Sequence, residues 1–321
     1  MSAVASVLDV PGVSTYLDAV EERLRETVAR DGGEVAAAGA ETLASGGKRL
    51  RPMLVYLCAP PAGRDRPGLV SAGCAVELVH MATLVHDDQI DAAPLRRGRP
   101  TVWRSRGPRV STASGDHLFA RAFSELVTTG DMQAVAALSD ACLALALGEI
   151  LQREQAGNAG TTQEQYLERC RLKTGRLFAA AATLGARLGG LAVEETERMA
   201  EFGVALGLAF QIADDVLDCD GDPDTTGKAL GTDLLDGTVT LPVILAAQRD
   251  PEVLAVVRRG PGPSDVLPTL ARMARSGAVV DARAEAERHA AAALAALDGL
   301  DGRVDSEALN AVVRSAVERR A

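Results

Sequence analysis

A chain of 321 residues with 47% hydrophobic content can bury one large core or two modest ones. Its net charge of −10 argues against a nucleic-acid partner, because a phosphate backbone needs a dominant basic face. Aromatic residues supply only 3% of the chain while Ala, Leu, Val and Glu abound, a composition that favours helices over sheets and predicts an all-α fold. The five cysteines, Cys58, Cys74, Cys142, Cys170 and Cys219, are far apart, odd in number and form no C-x-x-C pair. They indicate neither a disulfide framework nor a zinc knuckle and read as buried thiols of a reducing compartment. No apolar run approaches the roughly 20 residues of a membrane span, and the start, MSAVASVLDV, has no basic stretch followed by an apolar one. The expected location is the cytoplasm.

Breaks rich in Gly and Pro, at 60–68, 106–108, 157–162, 221–231 and 260–263, divide the chain into long helical stretches. Gly46-Gly47-Lys48-Arg49-Leu50-Arg51-Pro52 joins flexible backbone to three cations, a combination that by itself also describes many solvated turns. Residues 69–91 are apolar nearly all round, which predicts a helix buried in a bundle. It ends in Asp87-Asp88-Gln89-Ile90-Asp91, and the four-residue interval sets Asp87 and Asp91 on one face, about one turn apart. Thr83 and His80 share that stripe; a satisfied core histidine is the alternative reading of His80. Arg96-Arg97-Gly98-Arg99-Pro100 begins five residues after Asp91 and places cations beside the acidic end. A second apolar helix, over 196–218, ends in Asp214-Asp215-Val216-Leu217-Asp218, with Gln211 one turn earlier on the face of Asp214 and Asp218. The Ala-rich stretch 281–320 carries charges of both signs and reads as an exposed outer helix or pair. No linker is long enough to define a second domain. One domain over 1–321 is expected, with its motifs within about 40–245 and peripheral C-terminal helices over 265–320.

Carboxylates that repel each other at the end of an apolar helix are costly unless a cation neutralises them. They also have the wrong sign for the carboxyl end of a helix, where the macrodipole favours positive charge. A solvated helix terminus explains one such cluster as well as a metal does, but two clusters favour the metal. All-oxygen ligands select a hard ion, and magnesium, usually shared with substrate phosphates, points to a phosphate ester or diphosphate as ligand. Arginine forks and lysine suit the same anion. Glu77-Leu78-Val79-His80 has the E-x-x-H spacing of a ferritin-like di-iron bundle, but that site needs two such motifs and the chain offers no second.

Taken in order, S-G-G-K-R-L-R-P at 45–52, L-V-H-D-D-Q-I-D at 84–91, R-R-G-R-P-T-V at 96–102, G-D-H-L-F-A-R-A at 115–122 and F-Q-I-A-D-D-V-L-D at 210–218 resemble the trans-isoprenyl diphosphate synthase (polyprenyl synthetase) family. G-E-I-L-Q at 148–152, K-T-G at 173–175 and G-K-A-L-G-T-D-L at 227–234 extend the match. The resemblance implies a helical bundle around a deep cavity, a homodimer, and three magnesium ions holding an allylic diphosphate between the aspartate motifs. It makes Asp87, Asp91 and Asp214 magnesium ligands, with Asp88, Asp215 and Asp218 in support. Arg96, Lys173, Thr174, Gln211 and Lys228 correspond to contacts to the allylic diphosphate, and Lys48, Arg51, His80 and Arg97 to the isopentenyl diphosphate site. Asp87, Asp91, Asp214, Lys173 and Lys228 are the implied catalytic set. The implied reaction is ionisation, condensation and elimination, which needs no protein nucleophile, and product release involves at most peripheral contact with a membrane.

This chain departs from the family at two places. Thr238, in Gly237-Thr238-Val239-Thr240-Leu241-Pro242, stands where a lysine commonly precedes the T-L-P segment, and Ala92-Ala93 replaces acidic residues often found after the first motif. In the family, bulky side chains four or five residues before that motif close the cavity early. Ala82 and Thr83 are small, which favours a medium or long product over farnesyl or geranylgeranyl, whereas Phe119 and Phe123 can form a floor. A terpene synthase or cyclase and a non-catalytic partner subunit of the same fold are the alternatives. The retained cationic motifs oppose the first, and the two complete aspartate motifs oppose the second.

Overall fold

Local chemistry sets the helix boundaries in the computed structural model, which describes residues 9–221 and 230–318. The chain opens with α1 (Val13–Ala29), α2 (Gly33–Ala44), α3 (Leu50–Cys58) and α4 (Gly68–Ile90). A hairpin of β1 (Leu95–Arg96) and β2 (Arg99–Pro100) follows, then α5 (Val102–Arg106) and α6 (Pro108–Val127). Arg97 and Gly98 both have positive φ, 53° and 74°, as a two-residue turn matched to strand twist requires. Asp131 starts α7 (Met132–Gln155) by accepting from the backbone N–H groups of Gln133 and Ala134, at 2.9 and 3.0 Å. Thr162 and Gln165 form a capping box that opens α8 (Gln163–Cys170). A π-helical turn, Arg171–Gly175, leads into α9 (Arg176–Gly189) and then α10 (Val193–Asp220). The chain closes with α11 (Thr232–Leu235), α12 (Leu241–Arg249), α13 (Pro251–Arg259), α14 (Val266–Arg275), α15 (Ala278–Ala296) and α16 (Ser306–Val317).

The expected buried helices are α4 and α10. α4 packs along α6, while α9 lies among α3, α4, α7 and α10. One hydrophobic core gathers Leu24, Leu54, Leu78, Leu118 and Phe178; a second gathers Tyr166, Leu241, Met273 and Ala282. α10 serves both, giving Met199, Phe202 and Leu206 to the first and Ile212, Ala213 and Val216 to the second. It thereby welds the halves into a single all-α domain.

Three expectations are corrected. The C-terminal helices are not peripheral: α15 lies along α10 with Ala282, Ala286, Ala290 and Ala293 buried, and α16 adds Leu309, Val312 and Val313 to the first core. Alanine is a weak hydrophobe in sequence but lets two helices approach closely. Cys142 and Cys219 are only half-buried, unlike Cys58, Cys74 and Cys170, and all five are free thiols. Among the described residues, α4 and α7 are long and apolar enough to cross a membrane by length and composition; the apolar window is 67% buried in α4 but only 33% in α7.

Candidate active site

A cavity of about 600 Å³ lies where the carboxyl ends of α4 and α7 meet the last turns of α10, with the π-turn, α11 and the following loop completing its wall. Helix carboxyl ends carry partial negative charge, and Asp87, Asp91, Asp214, Asp215, Asp233 and Asp236 also line it. Such a concentration calls for cations.

On the α4 wall, desolvation pushes the Asp87 carboxyl up to about 6, against the pull of the Lys173 ammonium 3.9 Å away. Asp91 caps α4 and accepts a charge-assisted bond from Arg153 at 2.7 Å. Asp88 is buried and holds Arg96 at 2.7 and 2.8 Å, so it fastens the hairpin to α4 and aims Arg96, which lines the cavity.

On the α10 wall, Asp214 lines the cavity and is exposed, while Asp215 is buried. Asp215 accepts from the Tyr166 hydroxyl at 2.6 Å and from Gln211 Nε2 at 2.8 Å, and desolvation pushes its carboxyl up to about 7. Gln211 Oε1 in turn accepts from Thr174 Oγ1 at 2.7 Å, which fixes the Gln211 amide. Asp218 accepts from the backbone N–H groups of Thr232 and Asp233, both at 3.1 Å, and so starts α11. Its part is to shape the loop that brings Asp233 and Asp236 to the cavity.

The π-turn carries Lys173 and Thr174, consistent with the frequent use of such turns at functional sites. Lys173 bonds Glu149 at 2.5 Å. A Cβ on Gly148 would lie 2.8 Å from the Lys173 backbone nitrogen, so only glycine lets the α7 backbone come this close.

The remaining basic residues gather at the amino-terminal side. Lys48 is exposed in the turn before α3. Arg49 turns inward to Glu21 and Glu77, at 2.9 and 3.0 Å, so the carboxylate of the E-x-x-H spacing is engaged by arginine. Arg97 donates to the Gly46 carbonyl and ties the hairpin to the glycine turn. Arg51 stacks 4.8 Å from the Phe178 ring centre, and its buried Nε has no hydrogen-bond partner among the described residues. Burial holds its guanidinium down at about 10. His80 lines the main cavity; desolvation, then the charges of Arg51, Arg97, Arg96 and Arg49, hold its imidazole well below the usual range and therefore neutral.

A smaller cavity of about 180 Å³ shares Asp87, Ile90 and Lys173 with the first and is lined by Thr83, His86, Phe119, Cys142, Leu145 and Ala146. The Thr83 hydroxyl is spent on the His80 carbonyl at 2.8 Å, and the His86 and Phe119 rings stand 5.8 Å apart. Ala82 is fully buried in the first core and Phe123 packs against that core; neither lines this cavity, so position does not support the length-setting role expected of them. Helical phase separates the stripe read from sequence: His80 faces the large cavity and Thr83 the small one. Thr238 lines the large cavity, and Lys228 lies outside the described residues. Glu149, Arg153, Tyr166, Asp233 and Asp236 were not singled out from sequence, although the four-residue interval of Glu149 and Arg153 is a legible helix pair, joined at 3.1 Å.

Among the described residues no three His, Cys, Asp or Glu side chains converge on one point. A hard divalent cation nevertheless fits: the donors are all oxygen, Asp87 is desolvated and only partly compensated, and ligand phosphates can complete the shell. The bundle and its facing carboxylates define an all-helical enzyme class that handles diphosphates with a divalent ion. Residues 34–266 match the family model described as Polyprenyl synthetase, and the chain belongs to that family as a prenyltransferase of isoprenoid biosynthesis. It is 37% identical over 290 residues to the heptaprenyl diphosphate synthase component 2 of Geobacillus stearothermophilus, covering 90% of this chain and 91% of that protein. It is 34% identical to the octaprenyl diphosphate synthase of Escherichia coli (strain K12), covering 93% and 98%. Among solved structures, the polyprenyl synthase from Caulobacter crescentus CB15 complexed with calcium and isoprenyl diphosphate superimposes with a TM-score of 0.91 at 35% identity, covering 100% of this chain and 99% of that one.

Proposed function

We propose that this enzyme joins an allylic diphosphate head-to-tail to isopentenyl diphosphate, in the trans configuration, and makes a medium- or long-chain polyprenyl diphosphate and pyrophosphate. The observation that carries the reading is one cavity with an aspartate wall on each side, Asp87 and Asp91 facing Asp214, continued by a smaller pocket beneath Asp87. Asp87, Asp91 and Asp214 would hold magnesium, three ions in all, which when bound neutralises the diphosphate and favours its departure. Arg96, Lys173, Thr174 and Gln211 hold and orient the allylic diphosphate. Lys48, Arg51 and Arg97 bind the isopentenyl diphosphate anion, and neutral His80 can donate a hydrogen bond to it without adding charge to the arginine cluster. Ionisation leaves an allylic cation, the isopentenyl double bond attacks it, and the released pyrophosphate takes the proton. The pocket of Thr83, Phe119, Cys142, Leu145 and Ala146 receives the growing chain and keeps water away from the cation.

Leu143, Leu147 and Ile150 are exposed on one face of α7, a stripe that suits a second copy and supports a homodimer. The name of the Geobacillus relative, component 2, supports a second reading in which this chain works with a different subunit.

The test is incubation of the purified chain with magnesium, labelled isopentenyl diphosphate and separate allylic primers, followed by sizing of the dephosphorylated products. Elongated prenols are expected, and Asp87→Ala or Asp214→Ala should abolish them while helical content is kept. No incorporation with any primer would move the assignment to the partner-dependent or cyclase reading, and normal turnover by either variant would end the metal assignment.

A further inference from the structure

Four basic side chains line the large cavity among the described residues: Arg96, Arg153, Arg169 and Lys173. Arg96 is committed to buried Asp88, and Arg169 is buried with bonds to Gln155 and the Val239 carbonyl, at 2.7 and 2.8 Å. Lys173 is held by Glu149. Arg153 differs in that its side chain is 47% exposed and its closest partner is Asp91, at 2.7 Å, itself one of the metal-binding aspartates of the proposed function. A divalent ion that claims Asp91 takes away this partner and leaves a guanidinium, anchored among the described residues by Glu149 at 3.1 Å, beside the ion and its anionic ligand.

The carboxyl end of α7 is fastened next to Thr238. The Gly157 N–H donates to the Gly237 carbonyl at 2.8 Å, and Arg153, one turn before Gly157, lines the same cavity as Thr238. Thr238 is the uncharged residue where the family resemblance leads one to expect lysine.

We infer that Arg153 is a diphosphate-binding residue that exchanges partners: it neutralises Asp91 in the metal-free enzyme and turns to the substrate diphosphate when metal binds, supplying from α7 the charge that Thr238 lacks. The inference rests on the proposed function and adds a residue to it. A guanidinium bond to phosphate is charge-assisted, so its loss should weaken diphosphate binding by on the order of tenfold or more.

The test uses the full chain and two probes, inorganic pyrophosphate in saturating magnesium, followed by calorimetry, and Mn²⁺ alone, followed by loss of the free-ion electron paramagnetic resonance signal. Arg153→Leu should bind pyrophosphate on the order of tenfold more weakly while binding Mn²⁺ as well as the parent or better, because Asp91 has lost its competitor. Arg153→Lys should retain most of the pyrophosphate affinity, and Thr238→Lys added to Arg153→Leu should restore it. Unchanged pyrophosphate binding by Arg153→Leu overturns the inference. So does equal weakening for both probes without rescue by Thr238→Lys, which marks a merely structural residue. Asp87→Ala separates the two levels: if it too leaves magnesium-dependent pyrophosphate binding intact, the proposed function fails; if it abolishes that binding while Arg153→Leu does not alter it, only the inference fails.

Discussion

Asp87 sits where two pockets meet, and its ionisation links the fold to the chemistry. Desolvation lifts its carboxyl from the usual value near 4 to about 6. Its folded value is raised, so the metal-free protein loses stability as pH climbs from about 4 to about 6, the window in which the buried carboxyl must ionise. A carboxyl-carbon NMR titration of metal-free protein, with Asp87→Asn to identify the resonance, should show a midpoint near 6; a midpoint near 4 would mean the site is wetter than its geometry implies. Thr83 and Phe119 both line the smaller pocket, so filling it at one and emptying it at the other should move product length in opposite directions. Thr83→Phe fills the pocket and should shorten the products, and Phe119→Ala should lengthen them. Identical chain lengths for parent and both variants would place the growing chain elsewhere.

Among elements, the crossing of α10 over the π-turn does most to align the two walls. A Cβ at Gly207 would lie 2.6 Å from Gly175 Cα, a contact that only outward movement of α10 relieves. Gly207→Ala should therefore cost about 1–3 kcal/mol of stability, as overpacked helix contacts do. It should also stretch the 2.7 Å bond between Thr174, beside Gly175, and Gln211, one turn after Gly207, and so raise KM for the allylic diphosphate. Thermal denaturation and initial-rate kinetics check both. An unchanged melting temperature would show that the crossing has slack.

For the whole molecule, α7 is the element with two obligations. Its inner face brings Leu145, Ala146, Glu149 and Arg153 to the two cavities, while Leu143, Leu147 and Ile150 are 63%, 47% and 54% exposed outside. If that outer stripe meets a second copy, Leu143→Glu with Leu147→Glu should give a monomer by sedimentation and lower turnover, since the same helix positions the site. An unaltered oligomeric state would direct attention to a different covering partner.

Much of the site was legible from helical spacing alone. Asp87 with Asp91, Asp214 with Asp218, and Gln211 and His80 on their stripes follow from 3.6 residues per turn, and the two apolar helices announced their burial by lacking a polar face. Spacing does not say which partner each face meets. Arg153 finds Asp91 across 62 residues and Tyr166 finds Asp215 across 49, and no local pattern marks either pair. Charge alone does not separate Arg49 from Lys48 and Arg51, and it is the fold that turns Arg49 onto Glu77; Asp88 reads from sequence only as a supporting residue, and burial shows that it is Arg96 it supports. The π-turn at Lys173 and the burial of the alanines of α15 likewise depend on what packs against them. Local periodicity is a property of the chain and determined the helices, their faces and the acidic ends. Pairing, burial and the meeting of three helix ends at one cavity arise from contacts between distant segments, and the tertiary structure alone decided them.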